Sequence, residues 1–278
     1  MAIILNGQRF KNADQASVSP LNRGLLYGQS VFETIAVDDG LPLLLDQHLA
    51  RLVHGAERLQ IPLDAAAMEH DIYALAEDQN LAVLRATACM EAGGRGYRNP
   101  SKPTGLRIIS LHDYPQHPQH YWLEGINLGL SDLRLGSQSV LAGIKHGNRL
   151  EQIIARNAWQ EDWQEALLLD QNENVIEATH ANIFALKKDT LYTPSLHRAG
   201  VAGVMRDYVL SLADKVGVEP QVVSLSESDI DTADALFVTN SVIGLWPVKQ
   251  FKNQQFNDLS FAHKLLKLLE NNGVIPTF

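Results

Sequence analysis

Lys145 ends the apolar run Leu141-Ala142-Gly143-Ile144 and stands shortly before Asn148, a residue type that caps helices. A lysine in apolar company has its ammonium form disfavoured, which frees the amine to act as nucleophile or base near neutral pH. Taken alone, Lys145 reads better as a lysine snorkelling from a strand end. Further along, Glu177 opens Glu177-Ala178-Thr179-His180-Ala181-Asn182-Ile183-Phe184, where by itself it reads equally as a carboxylate for a pyridine ring nitrogen and as a solvent-facing strand residue. Leu191-Tyr192-Thr193 follows, and then Val201-Ala202-Gly203-Val204-Met205-Arg206. A glycine at 203 lets backbone approach a ligand closely, and the free amides of a helix beginning there suit a phosphate.

The typed positions from Glu177 through Arg206, with their gaps, resemble the signature of the fold-type IV pyridoxal-phosphate (PLP) enzymes. That group includes branched-chain aminotransferases, D-amino-acid aminotransferases and aminodeoxychorismate lyases. The resemblance implies a two-domain α+β fold of the D-amino-acid aminotransferase type, with Lys145 as the covalent anchor of PLP and Glu177 as the partner of its ring nitrogen. It further implies that Arg51, in His48-Leu49-Ala50-Arg51-Leu52, holds the cofactor phosphate. Val204 and Met205 contribute through backbone N–H groups, and Asn240 and Ser241 through the polar pair after a strand. Thr34 matches a position facing the cofactor, which implies a catalytic hydroxyl near Lys145, with an ordinary strand threonine the alternative of similar weight.

Gly143-Ile144-Lys145-His146-Gly147-Asn148-Arg149-Leu150-Glu151-Gln152 is similar to the lysine segment of aminodeoxychorismate lyases, and Gly93-Gly94-Arg95-Gly96-Tyr97 to their substrate loop. The likeness extends to Arg23-Gly24-Leu25-Leu26-Tyr27-Gly28 and Phe32-Glu33-Thr34. It implies conversion of 4-amino-4-deoxychorismate to 4-aminobenzoate and pyruvate, with Lys145 as base and then acid. Arg95 is the first candidate for a substrate carboxylate and Arg107 the second, since a planar guanidinium binds carboxylate bidentately; Tyr97 lines the same loop. For Arg107 an ordinary surface role is the better reading. This chain has Met90-Glu91 where many members carry Arg-Gly, Asn22 where aspartate is common, and Gln29-Ser30 where Asp-Gly is common. The rivals are a D-amino-acid or branched-chain aminotransferase with the same cofactor site and, more remotely, a PLP-binding protein without turnover. Members of this group are usually homodimers, so the resemblance implies one here.

These residues need a scaffold. A chain of 278 residues exceeds the usual span of one core, so two domains are expected. Asn6-Gly7 between short apolar runs is a hairpin signal. Strands are expected at 31–37, 41–45, 81–90 and 106–111, with helices at 46–59 and 64–78 started by Asp46 and Asp64. Pro115 and Pro118 interrupt periodicity and suggest a linker at 115–125 between domains at 1–114 and 126–278, the second carrying Lys145. His112, His117 and His120 lie around it, without the cysteine or carboxylate pattern of a metal set. Beyond the linker come strands at 126–130, 166–169, 175–178, 182–186, 190–193 and 235–239. Helices are expected at 149–162, from 204 to Gly217, and at 261–270. Hairpins with helices beside them argue for α+β.

A net charge of −9 argues against a sequence-independent nucleic-acid binder and means that a site for an anion must gather its own positive groups. The single cysteine, Cys89, forms no internal disulfide, which points to a reducing cytoplasm. The first ten residues lack the pattern of a secretory signal, and no segment reaches membrane-spanning length without charge, so a cytoplasmic enzyme without a membrane partner is expected.

Overall fold

The computed structural model describes residues 1–276 and divides into two compact units. The first comprises Met1–Pro115 with Ile144–Asn148; the second comprises Gln116–Gly143 with Arg149–Phe278.

In the first unit, β1 (Ile3–Leu5), β2 (Gln8–Phe10), β3 (Ser30–Asp38), β4 (Leu41–Pro42), β5 (Leu81–Met90) and β6 (Gly105–Asp113) form one antiparallel sheet. The order is β2-β1-β6-β5-β3-β4. Asn6 and Gly7 both take positive φ (47° and 85°), the type I′ geometry expected of Asn-Gly. Three helices, α1 (Arg23–Tyr27), α2 (Leu45–Arg58) and α3 (Ala65–Ala76), complete the unit. Val31, Ile35 and Val37 of β3 and Leu84, Ala86 and Ala88 of β5 form one buried core with Leu52 of α2 and with Met68, Ile72 and Leu75 of α3. Alternation along a strand therefore sends Phe32 and Thr34, and Arg85 and Thr87, to the opposite face. Asp64 caps α3 through Ala67 N–H as expected (3.0 Å), whereas α2 begins at Leu45 with no side-chain cap and Asp46 inside its first turn. The returning strand expected at 41–45 is only Leu41–Pro42, because the chain turns at Leu44 (φ 52°) straight into α2.

The second unit runs α4 (His120–Leu123), β7 (Ile126–Leu135), α5 (Leu150–Asn157), β8 (Glu165–Asp170), β9 (Asn174–Ala178), β10 (Asn182–Lys187) and β11 (Thr190–Pro194). It continues with α6 (Val204–Ser211), α7 (Ala213–Val216), β12 (Glu219–Val223), β13 (Leu225–Ser226), α8 (Glu227–Asp231), β14 (Ala235–Asn240), β15 (Gly244–Phe251), β16 (Gln254–Gln255) and α9 (Ser260–Asn271). The strands make a ten-stranded mixed sheet, β12-β11-β10-β14-β15-β7-β8-β9-β13, with β16 on β15. Together the units give the α+β class that the hairpin pattern called for.

Four expectations are corrected. The segment 115–125 is not a free connector: it contains α4, whose Trp122 is buried and donates its indole N–H to Ile243 C=O (2.9 Å). His117 stacks edge-on against Trp246 there (4.8 Å between centroids). Lys145 belongs with the first unit rather than the second, because His146 bridges Val31 and Phe32 N–H donates to Lys145 C=O (2.9 Å). The helix expected at 149–162 is only Leu150–Asn157, and Asn148 donates to Gly28 C=O (3.4 Å) instead of capping it. The helix expected from 204 breaks at Leu212 into α6 and α7 before Gly217 closes it with φ 81°. β15 escapes sequence reading because it holds Pro247, a residue foreign to central strands. Pro247 sits one residue before pairing with β7 begins at Val248, where the ladder is irregular.

Candidate active site

In the first unit, Lys145 runs beside the start of β3, so its amine meets the face that carries Phe32. Lys145 Nζ lies 4.7 Å from the centroid of the Phe32 ring. The Arg85 guanidinium stands over that same ring, with Cζ at 3.7 Å. Arg85 is placed there by register, since Thr34 of β3 pairs directly with Arg85 of β5. Among the described residues Arg85 has no hydrogen bond or carboxylate partner. One face of the sheet thus gathers an amine, a half-buried hydroxyl and a guanidinium with no ionic partner. Two cations around one aromatic ring are stabilised by its negative faces, and the arrangement favours an anion beside them.

Beneath β3, on the helix-covered side, Glu33 organises Arg51 and His48 of α2. Arg51 Nε and Nη2 donate to the two carboxylate oxygens of Glu33 (2.8 and 2.5 Å). His48 Nδ1 lies 2.6 Å from Glu33 Oε2. Glu33 and His48 are fully buried and Arg51 nearly so. Burial pushes the Glu33 carboxyl up, but the Arg51 guanidinium, its hydrogen bonds and the His48 bond outweigh this and hold it at about 2. Burial pushes His48 down; Glu33 opposes this while Arg51 and Lys145 add to it, and the net shift is downward. His48 is therefore a neutral imidazole at pH 7 that donates from Nδ1, and its buried Nε2 has no partner. The fork on Glu33 fixes the guanidinium plane of Arg51, and α2 delivers both Arg51 and His48 because they lie three residues apart on one helix face.

In the second unit, Glu177 on β9 is buried and anchored: Val201 N–H donates to its Oε2 (2.8 Å), and Gln152 Nε2 lies 3.5 Å from Oε1. The buried Arg149 guanidinium is pushed down by burial and supported by the charges of Glu177 and Glu151. Helix α6 starts at Gly203 without a side-chain cap. A Cβ at Gly203 would sit 1.9 Å from Asn182 Oδ1, so only glycine fits. The first-turn amides of Val204 and Met205 have no intrahelical acceptor, which suits them to a phosphate. Arg206 ties the helix start to the end of β11 by donating to Pro194 C=O (3.1 Å). At the end of β14, Thr239 Oγ1 is buried without a partner among the described residues. The Asn240 side chain is committed internally, accepting from Val242 and Ile243 N–H (2.8 and 2.9 Å) and donating to His180 C=O (3.2 Å). A glycine cradle at a bare helix start and an orphaned buried hydroxyl are what a phosphate-bearing cofactor would satisfy, so these residues fit PLP.

The sequence-predicted residues thus fall into two groups. Lys145, Thr34, Arg51, Arg95, Tyr97 and Arg107 lie in the first unit; Glu177, Val204, Met205, Asn240 and Ser241 lie in the second. Within the first unit Arg95 and Tyr97 are exposed on the glycine-rich loop. Arg107 does not share the Lys145 face: its Nε pairs with Asp71 Oδ2 of α3 at 3.3 Å, because Arg107 sits opposite Ala88, a core position on the helix side. Its role is the structural one. Arg85, Glu33 and His48 were not singled out by the sequence. A guanidinium inside a strand pattern carries no local sign of its use, although a carboxylate, an imidazole and a guanidinium at Glu33, His48 and Arg51 in adjoining elements were a partial signal.

Residues 30–251 match the amino-transferase class IV family model. The chain is 33% identical to an aminodeoxychorismate lyase of Vibrio harveyi over 256 residues, covering 90% of this chain and 93% of that one. It is similar to the crystal structure of a 4-amino-4-deoxychorismate lyase from Pseudomonas aeruginosa, with 37% identity, TM-score 0.92, and coverage of 98% and 99% of the two chains. It is also similar, at 25% identity and TM-score 0.84 over 99% and 95% of the chains, to a branched-chain amino acid aminotransferase of T.th. solved with pyridoxamine 5'-phosphate. The chain belongs to the amino-transferase class IV family, a family of pyridoxal-phosphate enzymes.

Proposed function

We propose that this chain is a lyase that converts 4-amino-4-deoxychorismate to 4-aminobenzoate and pyruvate, a step toward folate. The likeness to aminodeoxychorismate lyases supplies the reaction. The geometric observation that supports it is the pair of arginines, Arg85 and Arg95, without ionic partners among the described residues, in the unit that carries the Lys145 amine. A substrate with two carboxylates has a use for both, each guanidinium offering a planar fork. Arg107, already paired with Asp71, is released from that role.

Bound PLP supplies an electron sink for the bonds being broken. Lys145 would be its covalent anchor and, as a free amine, would take the proton from the amine-bearing carbon of the substrate. Lys145 then returns this proton to the departing enolpyruvate, which becomes pyruvate, so the reaction needs no further reactant. Glu177 would hold a proton at the ring nitrogen, and Val201 N–H donates to its Oε2, which fixes the carboxylate. In the second unit the amides of Val204 and Met205 and Ser241 would hold the phosphate, with Asn240 shaping the turn that presents Ser241; in the first unit the resemblance gives the same task to Arg51. Thr34 lies on the Lys145 face, beside Arg85.

The reading includes a cytoplasmic homodimer. Helix α5 exposes Leu150, Ile153 and Ile154 and buries only Ala155, an apolar face that a second copy would cover. No helix among the described residues is long and apolar enough to cross a membrane.

The test is to supply purified holoenzyme with 4-amino-4-deoxychorismate and measure both products. Equimolar 4-aminobenzoate and pyruvate support the lyase. Amino transfer from D-alanine or a branched-chain amino acid to a keto acid, with neither product formed, would establish the aminotransferase reading that the likeness to a branched-chain aminotransferase favours.

A further inference from the structure

The reaction outlined above leaves unused a buried arginine of the first unit. Arg23, on α1, is only 3% exposed and has no carboxylate partner among the described residues. Its Nε donates to Gln29 Oε1 (2.7 Å). Nη1 donates to the carbonyls of Gly96 (3.0 Å) and Gly93 (3.3 Å), and Nη2 to that of Tyr97 (3.2 Å). The guanidinium also lies 4.9 Å from the centroid of Tyr27, whose ring meets Tyr97 edge-on at 5.6 Å. Three of these four acceptors belong to the glycine-rich loop that carries Arg95.

That loop has little else to hold it. Residues 92–98 are exposed, and Gly93, Gly94 and Gly96 all take positive φ (145°, 73° and 58°), a conformation that glycine adopts without strain but does not enforce. One rigid fork with five N–H groups can fix several carbonyls at once, which a lysine ammonium on a flexible stem does less well. Gln29 is itself locked: its Nε2 donates to Leu59 C=O (3.1 Å) and Asn99 Oδ1 (3.0 Å), which turns its carbonyl oxygen toward Arg23. The residue that orients the guanidinium is therefore neutral. A carboxylate there would complete an ion pair; glutamine gives the same geometry and leaves the charge uncancelled beneath the loop.

We propose that Arg23 is a positioning residue for substrate binding: it clamps the 93–97 loop so that Arg95 is presented in one place, and its uncompensated charge favours a dianionic substrate. The identity of that substrate rests on the lyase reading; the clamp does not.

Three variants of the holoenzyme test this, with KM and kcat for 4-amino-4-deoxychorismate and amide hydrogen exchange over residues 92–99 as readouts. Arg23→Met is expected to speed exchange of the loop about tenfold and raise KM about tenfold, with kcat changed by less than about threefold. Arg23→Lys keeps the charge and loses the fork, so exchange rises while the salt dependence of kcat/KM is retained. Gln29→Glu keeps an acceptor for the fork and cancels the charge but loses the Nε2 bonds to Leu59 and Asn99, so the charge is read from KM, which rises, and from its salt dependence, which weakens. Unchanged loop exchange in Arg23→Met, or in Arg23→Lys if the methionine variant does not fold, overturns the clamp. A fall in kcat with KM unchanged overturns the role in binding, and an unchanged KM in Gln29→Glu overturns the role of the charge. If wild-type enzyme forms no 4-aminobenzoate, the lyase reading fails and hydrogen exchange alone decides the clamp.

Discussion

Replacing Glu33 by glutamine removes the charge that holds Arg51 and His48 while keeping the side chain's size. The magnitude follows from the carboxyl itself. Its pKa falls from an ordinary 4.5 to about 2 on folding, and at 1.36 kcal/mol per tenfold this corresponds to about 3 kcal/mol favouring the folded, ionised state. Loss of one partner of a buried pair costs about 3–5 kcal/mol by another route, because the remaining charge is left in low dielectric. Glutamine retains one acceptor for Arg51, so about 3 kcal/mol is expected at pH 7. The pH dependence has a definite sign. A carboxyl whose pKa is lower in the folded state contributes its full stability above its unfolded value near 4.5, and that contribution is lost as pH falls toward about 2. Urea denaturation of wild type and Glu33→Gln at pH 7 should therefore differ by about 3 kcal/mol, and the gap should narrow steadily below about pH 4.5. The variant should also bind PLP more weakly, since Arg51 no longer has a fixed plane. Equal stability at pH 7, or a gap that does not change between pH 7 and pH 3, would refute the reasoning.

Lys145→Ala should abolish the visible absorbance of covalently held cofactor and all turnover, and retention of either removes the lysine from its role. Arg85→Met should raise KM for 4-amino-4-deoxychorismate by about tenfold to a hundredfold, the range of a lost charge-assisted contact, with cofactor absorbance intact; an unchanged KM would show that Arg85 merely packs on Phe32. Gly203→Ala places a Cβ 1.9 Å from Asn182 Oδ1 and should displace the Asn182 bond to Val201 C=O (2.9 Å), costing about 1–3 kcal/mol and weakening PLP binding, both readable in a cofactor titration with thermal melts. Leu150→Asp should lower the apparent mass in analytical ultracentrifugation if α5 meets a second copy.

The strand pattern of β3 and β5, the Asn-Gly hairpin and the Asp64 cap are local: side-chain alternation, positive φ and an N-cap oxygen act over a few residues, so the sequence shows them directly. The corrections have long-range causes. The 150–157 helix stops early, and the 115–125 segment folds around Trp122 and Trp246, because packing partners far along the chain decide those elements. β15 could not be read through Pro247, since the ladder position that tolerates a proline depends on where the neighbouring strand begins to pair.

For the site, the chemistry on offer was legible through the family resemblance. Lys145, Glu177, the glycine at 203 and Arg51 are candidates through the resemblance to fold-type IV enzymes; on its own Lys145 reads as a strand-end lysine and Arg51 as a helix arginine. Tertiary structure alone decided which arginines are available. Arg107 and Arg85 both sit in strands beside the loop, and their roles follow from one parity: Arg107 lies opposite Ala88 and turns toward Asp71, while Arg85 lies opposite Thr34 and turns toward Phe32 and the Lys145 amine. A strand's side chains alternate by residue, so its register against its neighbours settles which face each charge meets, and register is a property of the assembled sheet.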